Sequence, residues 1–306
     1  MHRSSVCREE MMTQLSWMAF PQRICHDRLV PAQFSVTDVT VVVPVKNNQL
    51  GVDRLLHTFA AFDESQRPAK IIVVDNNSSP AVVLPVTALS AELLHCSVPG
   101  PAAARNLGVS AVDTEWILFM DSDCIPTPDL LNNYVAAQDG SIAYSGFVRS
   151  STAGWIARYY ESQEILIPMH DHRRRPQYLV TANSLVYRPA LQQVNGFCET
   201  FPLAAGEDID LGFRLQSVGS LQYAEEAVVV HDFEECLIDF SRRFYRYGRG
   251  NRMLSVRYGI DLQPRMFAPN QPSLVNRFLA ALQWLALRKG YFAELQGKSS
   301  AALRPQ

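Results

Sequence analysis

The chain has 306 residues, 47% of them hydrophobic and 19% charged, with 15 glycines and 18 prolines. That apolar content can build a core and excludes a disordered, collagen-like or low-complexity protein. The 28 basic and 30 acidic residues leave a net charge of −2, so no global field draws the chain to nucleic acid, and any phosphate recognition must be local.

Residues 1–35 read as an N-terminal extension. Their most apolar stretch, Met11–Phe20, is broken by Thr13, Gln14 and Ser16, so neither a signal peptide nor a membrane span is expected there. The β-branched run Val39–Val45 predicts a strand buried on both faces. Val52–Phe62 carries a helical apolar stripe. Ile71–Val74 predicts a second buried strand, closed by the turn cluster Asp75-Asn76-Asn77-Ser78-Ser79-Pro80. Glu92–Val98 reads as a third strand, and Pro99-Gly100-Pro101 opens a helix running to Val112. Trp116–Met120 is a further strand and leads straight into Asp121-Ser122-Asp123.

This alternation implies parallel strands joined by crossovers. Ligands bind such sheets beyond the carboxyl ends of the strands, where Asn47, Asp75, Asp121 and Asp123 stand. Farther on, Ile142–Val148 and Tyr178–Tyr187 read as strands and Ala153–Ile167 as a helix. Ile209–Val218 is a helix with Gly219 in the left-handed closing position. Ala227–Val230 is a short strand ending at His231. Pro264–Pro272 links an arginine- and aromatic-rich segment, Phe240–Arg257, to a last helix, Leu274–Arg288. That helix reads as an amphipathic surface helix, compatible with peripheral membrane contact. The six cysteines are scattered with no C-x-x-C pair, so free thiols in a reducing compartment are expected, not a zinc site or disulfides.

Several groups could do chemistry. Two carboxylates at i and i+2 after a strand point the same way, and their repulsion is relieved by a hard divalent cation that also binds diphosphate oxygens. A turn with two solvated aspartates is the plain alternative. If His231 reaches the same ion, imidazole with carboxylate leans toward Mn²⁺; otherwise it is a structural histidine. Gly206-Glu207-Asp208-Ile209-Asp210 sets three acids at a helix start, either to match the helix dipole or to supply a general base. Arg242, Arg246 and Arg249 share a helical face, either solvated or offered to a diphosphate. Arg173–Arg175 reads as an exposed loop.

These segments resemble the family 2 glycosyltransferases of the GT-A fold. The resemblance rests on Val41-Val42-Val43-Pro44-Val45-Lys46-Asn47, Ile72-Val73-Val74-Asp75-Asn76-Asn77-Ser78, Ala104-Arg105-Asn106-Leu107-Gly108 and Phe119-Met120-Asp121-Ser122-Asp123. Thr181-Ala182-Asn183, Asn195-Gly196-Phe197 and Gly206-Glu207-Asp208 through Leu215 look like the acceptor-side segments of that family. The match runs from about Asp38 to His231. It implies an α/β fold, a GT-A-type Rossmann-like mixed sheet flanked by helices, occupying residues 36–235 with a helical C-terminal extension over 236–306.

By the same resemblance, Asp75 binds the nucleobase, while Pro44 and Asn47 line the nucleotide pocket and Arg105 approaches the base or diphosphate. Asp121 contacts ribose or metal, Asp123 the metal, and His231 the metal or diphosphate. Arg246 and Arg249 aid the diphosphate. Asp208 is the catalytic base, with Glu207 orienting the acceptor. The implied cofactor is Mn²⁺ or Mg²⁺, with a nucleotide-diphosphate sugar, UDP-sugar favoured, as donor. The acceptor is left open among a glycan, a lipid-linked glycan, a small metabolite and a peptide. The implied reaction is inverting; a retaining transferase of the same fold and a non-catalytic nucleotide-sugar-binding module are the alternatives. No Q-x-x-R-W motif is present, which disfavours a processive synthase. A cytoplasmic site, with contact at the inner face of the membrane, is the expected location.

Overall fold

The computed structural model describes residues 28–171, 175–233 and 235–296. In chain order it contains β1 (Val39–Val45), α1 (Gln49–Ala61), β2 (Lys70–Asp75), β3 (Ala91–His95), α2 (Pro101–Ser110) and β4 (Trp116–Met120). β5 (Cys124–Pro126), α3 (Leu130–Ala136), β6 (Ala143–Ser150), α4 (Trp155–Ser162), β7 (Asn183–Tyr187) and α5 (Arg188–Gln193) follow. α6 (Glu207–Leu215), β8 (Leu221–His231), α7 (Leu237–Tyr258) and α8 (Leu274–Gln296) complete it. The strands form one sheet in the order β3-β2-β1-β4-β7-β6-β8-β5. β1 pairs in parallel with β2 and β4, whereas β7 runs antiparallel to both β4 and β6. The sheet is mixed.

Apolar layers cover both faces of the central strands. Val41, Val43, Ile71, Val73, Trp116 and Leu118 enter one buried cluster, and Val42, Ile72, Val74, Ile117 and Phe119 enter the other. Two-sided burial explains the unbroken apolar runs in the sequence. The described part of the N-terminal extension packs onto this body: Phe34 is buried, with its ring 4.4 Å from Trp116. The remainder of that extension, and Arg173 and Arg174 of the expected exposed loop, lie outside the described residues. Helices α7 and α8 approach backbone to backbone, since a methyl at Gly248 would lie 2.0 Å from the Leu287 carbonyl oxygen. They share an aromatic cluster with α4 through Tyr159, Tyr160, Phe240, Phe244 and Leu279.

Several expected elements differ, among them β8, which starts at Leu221 instead of Ala227. β7 begins only at Asn183, because residues 178–182 form a turn in which the Asn183 N–H donates to the Val180 carbonyl. The helix expected over Ala153–Ile167 stops at Ser162, and Glu164 (φ 53°) and Leu166 (φ 66°) then take left-handed backbone. Gly219 is not in left-handed backbone; its missing side chain makes room for Ile142, whose Cγ2 would lie 2.6 Å from an added methyl. No helix among the described residues is long and apolar enough to cross a membrane.

Candidate active site

The carboxyl ends of β1 and β4 open into a cleft of about 1570 Å³, walled on the far side by α6, α7 and the segment before α8. Pro44, Lys46, Asn47, Arg105, Asp121, Asp123, Glu207, Asp208, His231 and Arg246 all face it. Residues as far apart in sequence as Pro44 and Arg246 are thus brought together around the strand ends.

Sheet register places the metal-type residues. β5 pairs with β8 so that Cys124 stands opposite His231, which sets His231 beside the Asp121–Asp123 turn. The His231 Nε2 lies 3.4 Å from Asp123 Oδ1, and the imidazole stacks on Phe233 at 4.7 Å. His231 is 1% exposed, yet its Nδ1 has no hydrogen-bond partner, and neither does Asp123 Oδ1. Burial raises the Asp123 carboxyl above its ordinary value, against the pull of His231. Among the described residues, Asp123, Cys124 and His231 can bring one ligand atom each within 4.8 Å of the others. An Asp123 Oδ1 without a hydrogen-bond partner, facing the His231 Nε2, fits a divalent cation bound by carboxylate and imidazole. Cys124 was not foreseen here. Burial pushes its thiol well up, and the thiol donates to the Ala182 carbonyl.

The turn itself is held from α1. Asn48 caps that helix, accepting from the Gly51 N–H at 3.0 Å, and its Nδ2 donates to Ser122 Oγ at 3.0 Å. A methyl on Gly51 would meet the Ser122 carbonyl at 2.2 Å, so glycine is required for this approach.

Arg105 faces the cleft with two of its nitrogens already engaged. Its side chain is 4% exposed, with Nη1 donating to Glu207 Oε1 at 2.8 Å and Nη2 to Asp121 Oδ1 at 3.0 Å. The guanidinium sits 5.6 Å from the Phe197 ring centre. Its Nη1 and Nη2 are held by protein carboxylates while its buried Nε has no hydrogen-bond partner, so Arg105 braces the cleft. Asp121 is correspondingly turned toward Arg105 and lies outside the Asp123–Cys124–His231 cluster. The Asn195-Gly196-Phe197 segment supports this brace and does not face the cleft: Asn106 receives the Phe197 N–H and donates to its carbonyl.

The three acids of α6 separate into three roles. Asp210 is fully buried and bound by Arg214, Arg257 and Tyr258. Glu207 is held by Arg105. Asp208 accepts only from the Ile209 N–H at 2.8 Å and makes no salt bridge among the described residues. Burial first, and then the Glu207 charge, push the Asp208 carboxyl up to about 7, with Arg105 pulling the other way. A carboxylate poised near neutrality is suited to accept a proton. Gly206, at φ 93°, supplies the left-handed turn that starts the helix.

Two expected residues do not reach the cleft. Asp75 is 2% exposed, with its oxygens accepting from the Ser78 and Val82 N–H groups at 2.9 and 3.1 Å. Burial alone would raise its carboxyl, but these bonds, with that from the Ser78 side chain, bring it below the ordinary value. The left-handed Asn77 folds the amides back onto Asp75, so it fixes the loop after β2. Arg249 pairs instead with Glu294 of α8 at 2.7 Å. Arg243, which the sequence reading passed over, lines the cleft in its stead, its guanidinium within 6 Å of the Tyr160 and Phe233 ring centres. Its spacing of three from buried Phe240 was the available signal.

The sheet order and the placement of the cleft are those of the GT-A fold. The mannosyltransferase PcManGT from Pyrobaculum calidifontis, in complex with GDP-Man and Mn²⁺, matches with a TM-score of 0.55 at 15% identity, over 98% of this chain and 88% of that one. GalNAc-T7 with UDP, GalNAc and Mn²⁺ matches with a TM-score of 0.50 at 11% identity, over 72% and 52%. The glycosyl transferase family 2 model matches residues 40–189, and that of glycosyl transferase family group 2 matches residues 116–295. The chain belongs to the family 2 glycosyltransferases. Pre-mycofactocin glycosyltransferase of Mycobacterium tuberculosis is 31% identical over 82% of this chain and 54% of its own length, so the chain spans about half of that relative. The glycosyltransferase AglE of Haloferax volcanii is 24% identical over 75% of this chain and 78% of its own.

Proposed function

We propose that this glycosyltransferase is inverting, moving a sugar from a nucleotide-diphosphate donor, a UDP-sugar by expectation, to an acceptor hydroxyl with Asp208 as the base. The observation that carries this reading is a cleft holding an unpaired carboxylate near neutrality together with an unsatisfied Asp123–His231 pair. Pro44, Lys46 and Asn47 line the nucleotide end. Arg246 lines the cleft and its buried Nε has no hydrogen-bond partner, which supports a contact with diphosphate oxygens.

Asp208 takes the acceptor proton as the acceptor oxygen bonds to the anomeric carbon. The bond from that carbon to the diphosphate oxygen breaks, and the nucleoside diphosphate leaves with the electron pair. Glu207, fixed by Arg105, orients the acceptor side of the site. Mn²⁺ or Mg²⁺ held by Asp123 and His231 would supply Lewis-acid neutralisation of the diphosphate. Among acceptors, pre-mycofactocin, named in the 31%-identical relative, is the first to test, beside glycans, lipid-linked glycans, small metabolites and peptides.

The test is a thermal-shift series with UDP and GDP, with and without Mn²⁺. A ligand at about 100 times its Kd stabilises the folded state by about 2.7 kcal/mol, so a clear upward shift is expected only with metal present. Asp123→Ala should lose that shift. An equal shift in the variant, or no dependence on Mn²⁺, would remove the metal site from the reading.

We place the reaction on the cytoplasmic side, with peripheral membrane contact through α8. Leu274, Val275, Phe278 and Leu285 are exposed on that helix, as are Arg277, Arg288 and Lys289, a composition suited to anionic interfaces. Sedimentation with phosphatidylglycerol vesicles should recover the wild type and leave Phe278→Ser in the supernatant. Equal recovery of both would rule this contact out.

A further inference from the structure

We infer that Arg257 and Tyr258, in the last turn of α7, are positioning residues for the reaction: by gripping Asp210 they hold α6 in the orientation that aims Asp208 at the acceptor hydroxyl. The inference rests on the proposed role of Asp208 as base and adds what keeps that base in place.

Asp208 does not fix its own position. Its hydrogen bond runs to the Ile209 N–H of its own helix, so the carboxylate goes where α6 goes. That helix has nine residues and begins at Gly206, in left-handed backbone. A helix this short owes its stability to tertiary packing. On the α2 side, Arg105 holds it through Glu207. On the other side, Asp210 joins it to α7.

The Asp210 side chain is fully buried, and both of its oxygens are engaged. Oδ2 accepts from Arg214 Nε and Nη2 at 2.9 and 2.7 Å. Oδ1 accepts from the Tyr258 hydroxyl at 2.6 Å and pairs with Arg257 Nε at 2.6 Å. Arg214 belongs to α6 itself, and its Nη1 donates to the Val194 and Gly196 carbonyls at 2.7 Å. Arg257 and Tyr258 are therefore the links from this carboxylate to α7. The Tyr258 ring also meets the Phe213 ring of α6 edge-on at 5.3 Å. The backbones are close as well: a methyl on Gly250 would lie 2.5 Å from the carbonyl oxygen of Ala205, the residue before Gly206. Ile209 packs in one apolar cluster with Met253 and Leu254 of α7.

Asp210, Arg214, Arg257 and Tyr258 do not line the cleft, so any effect they have on the chemistry passes through α6. Stability alone accounts poorly for the arrangement, since replacing a buried ion pair by apolar groups is often neutral or stabilising. Directed bonds to both carboxylate oxygens instead fix where α6 stands on α7. The same α7 carries Arg243 and Arg246 into the cleft, so one helix sets the base relative to the cations that face the diphosphate. A misplacement of about 1 Å can cost about 10²-fold in rate.

The test reads Mn²⁺-dependent release of nucleoside diphosphate from UDP-glucose and GDP-mannose, with water as acceptor, divided by the number of UDP or GDP sites that calorimetry finds. Damage to the fold alone lowers the number of sites and leaves turnover per site unchanged. Arg257→Met should lower turnover per site by about tenfold to a hundredfold at unchanged donor KM, and Arg257→Lys should regain most of the loss. Tyr258→Phe keeps the ring on Phe213, so it should fold even where Arg257→Met does not, and it should lose severalfold. Combined with Asp208→Asn, neither change should lower turnover further, because residues that act as a unit are not additive. Wild-type turnover per site in Tyr258→Phe and in every folded Arg257→Met preparation would overturn the inference. An equal further loss in the Asp208→Asn background would also overturn it and leave Asp208 standing as the base. Full turnover in Asp208→Asn alone would strike the base itself, and this anchor with it.

Discussion

Asp208→Asn is expected to lower sugar transfer by about 10²–10⁴-fold, the range supplied by a general base, while UDP–Mn²⁺ still binds. The amide keeps the size of the side chain and its acceptor oxygen for the Ile209 N–H, so the loss isolates proton transfer. The wild-type rate should depend on pH through the same group. A base works only when deprotonated, and the Asp208 carboxyl is pushed up to about 7, so the rate should rise through neutrality and level off above it. Stability should move the opposite way. A carboxyl that binds its proton more tightly folded than unfolded costs stability as pH climbs from about 4 toward 7. Asp208→Asn should therefore raise the melting temperature at pH 8 and change it little at pH 4. A variant that retains full transfer would remove Asp208 from the chemistry.

Arg105→Met is expected to cost about 3–5 kcal/mol of stability, the usual consequence of removing one member of a buried ion pair. Glu207 is 3% exposed and would be left with a buried, unmatched charge. Adding Glu207→Gln should recover part of the loss, because the uncompensated carboxylate disappears. Where enough folded protein remains, a kinetic signature should separate this role from plain structural support. Arg105 pulls the Asp208 carboxyl down, so its removal should shift the rising limb of the pH–rate profile to higher pH. Urea melts and the pH profile of kcat/KM check both points. An Arg105→Met protein of wild-type stability would show that the brace is not needed.

The sheet was legible where burial imposes one pattern. β1, β2 and β4 are covered on both faces, and their apolar runs could be read directly. β5 is too short to carry a pattern, and β8 extends to Leu221 through the exposed Glu225 and Glu226, which masked it as a strand. The acids of the cleft were legible as types but not as partners. Asp121, Asp123, Glu207 and Asp208 all line it, yet nothing local in the sequence tells that Arg105 would claim Asp121 and Glu207. That pairing spans 102 residues on one side and depends on how α2 meets α6. Asp75 shows the converse: a carboxylate after a strand looked available, but the turn that follows folds its own amides onto it. On α7, Arg242 faces solvent and pairs with Asp239, whereas its neighbour Arg243 turns inward, a distinction set by packing against Tyr160 and Phe233.

The sharpest measurement is proton NMR of the first product formed, read before any anomeric equilibration. The proposed single displacement, with one base opposite the departing diphosphate, predicts that the new glycosidic bond carries the anomeric configuration opposite to that of the donor. Retention of the donor configuration would contradict the account, because it would require a second displacement for which Asp208 alone provides no partner.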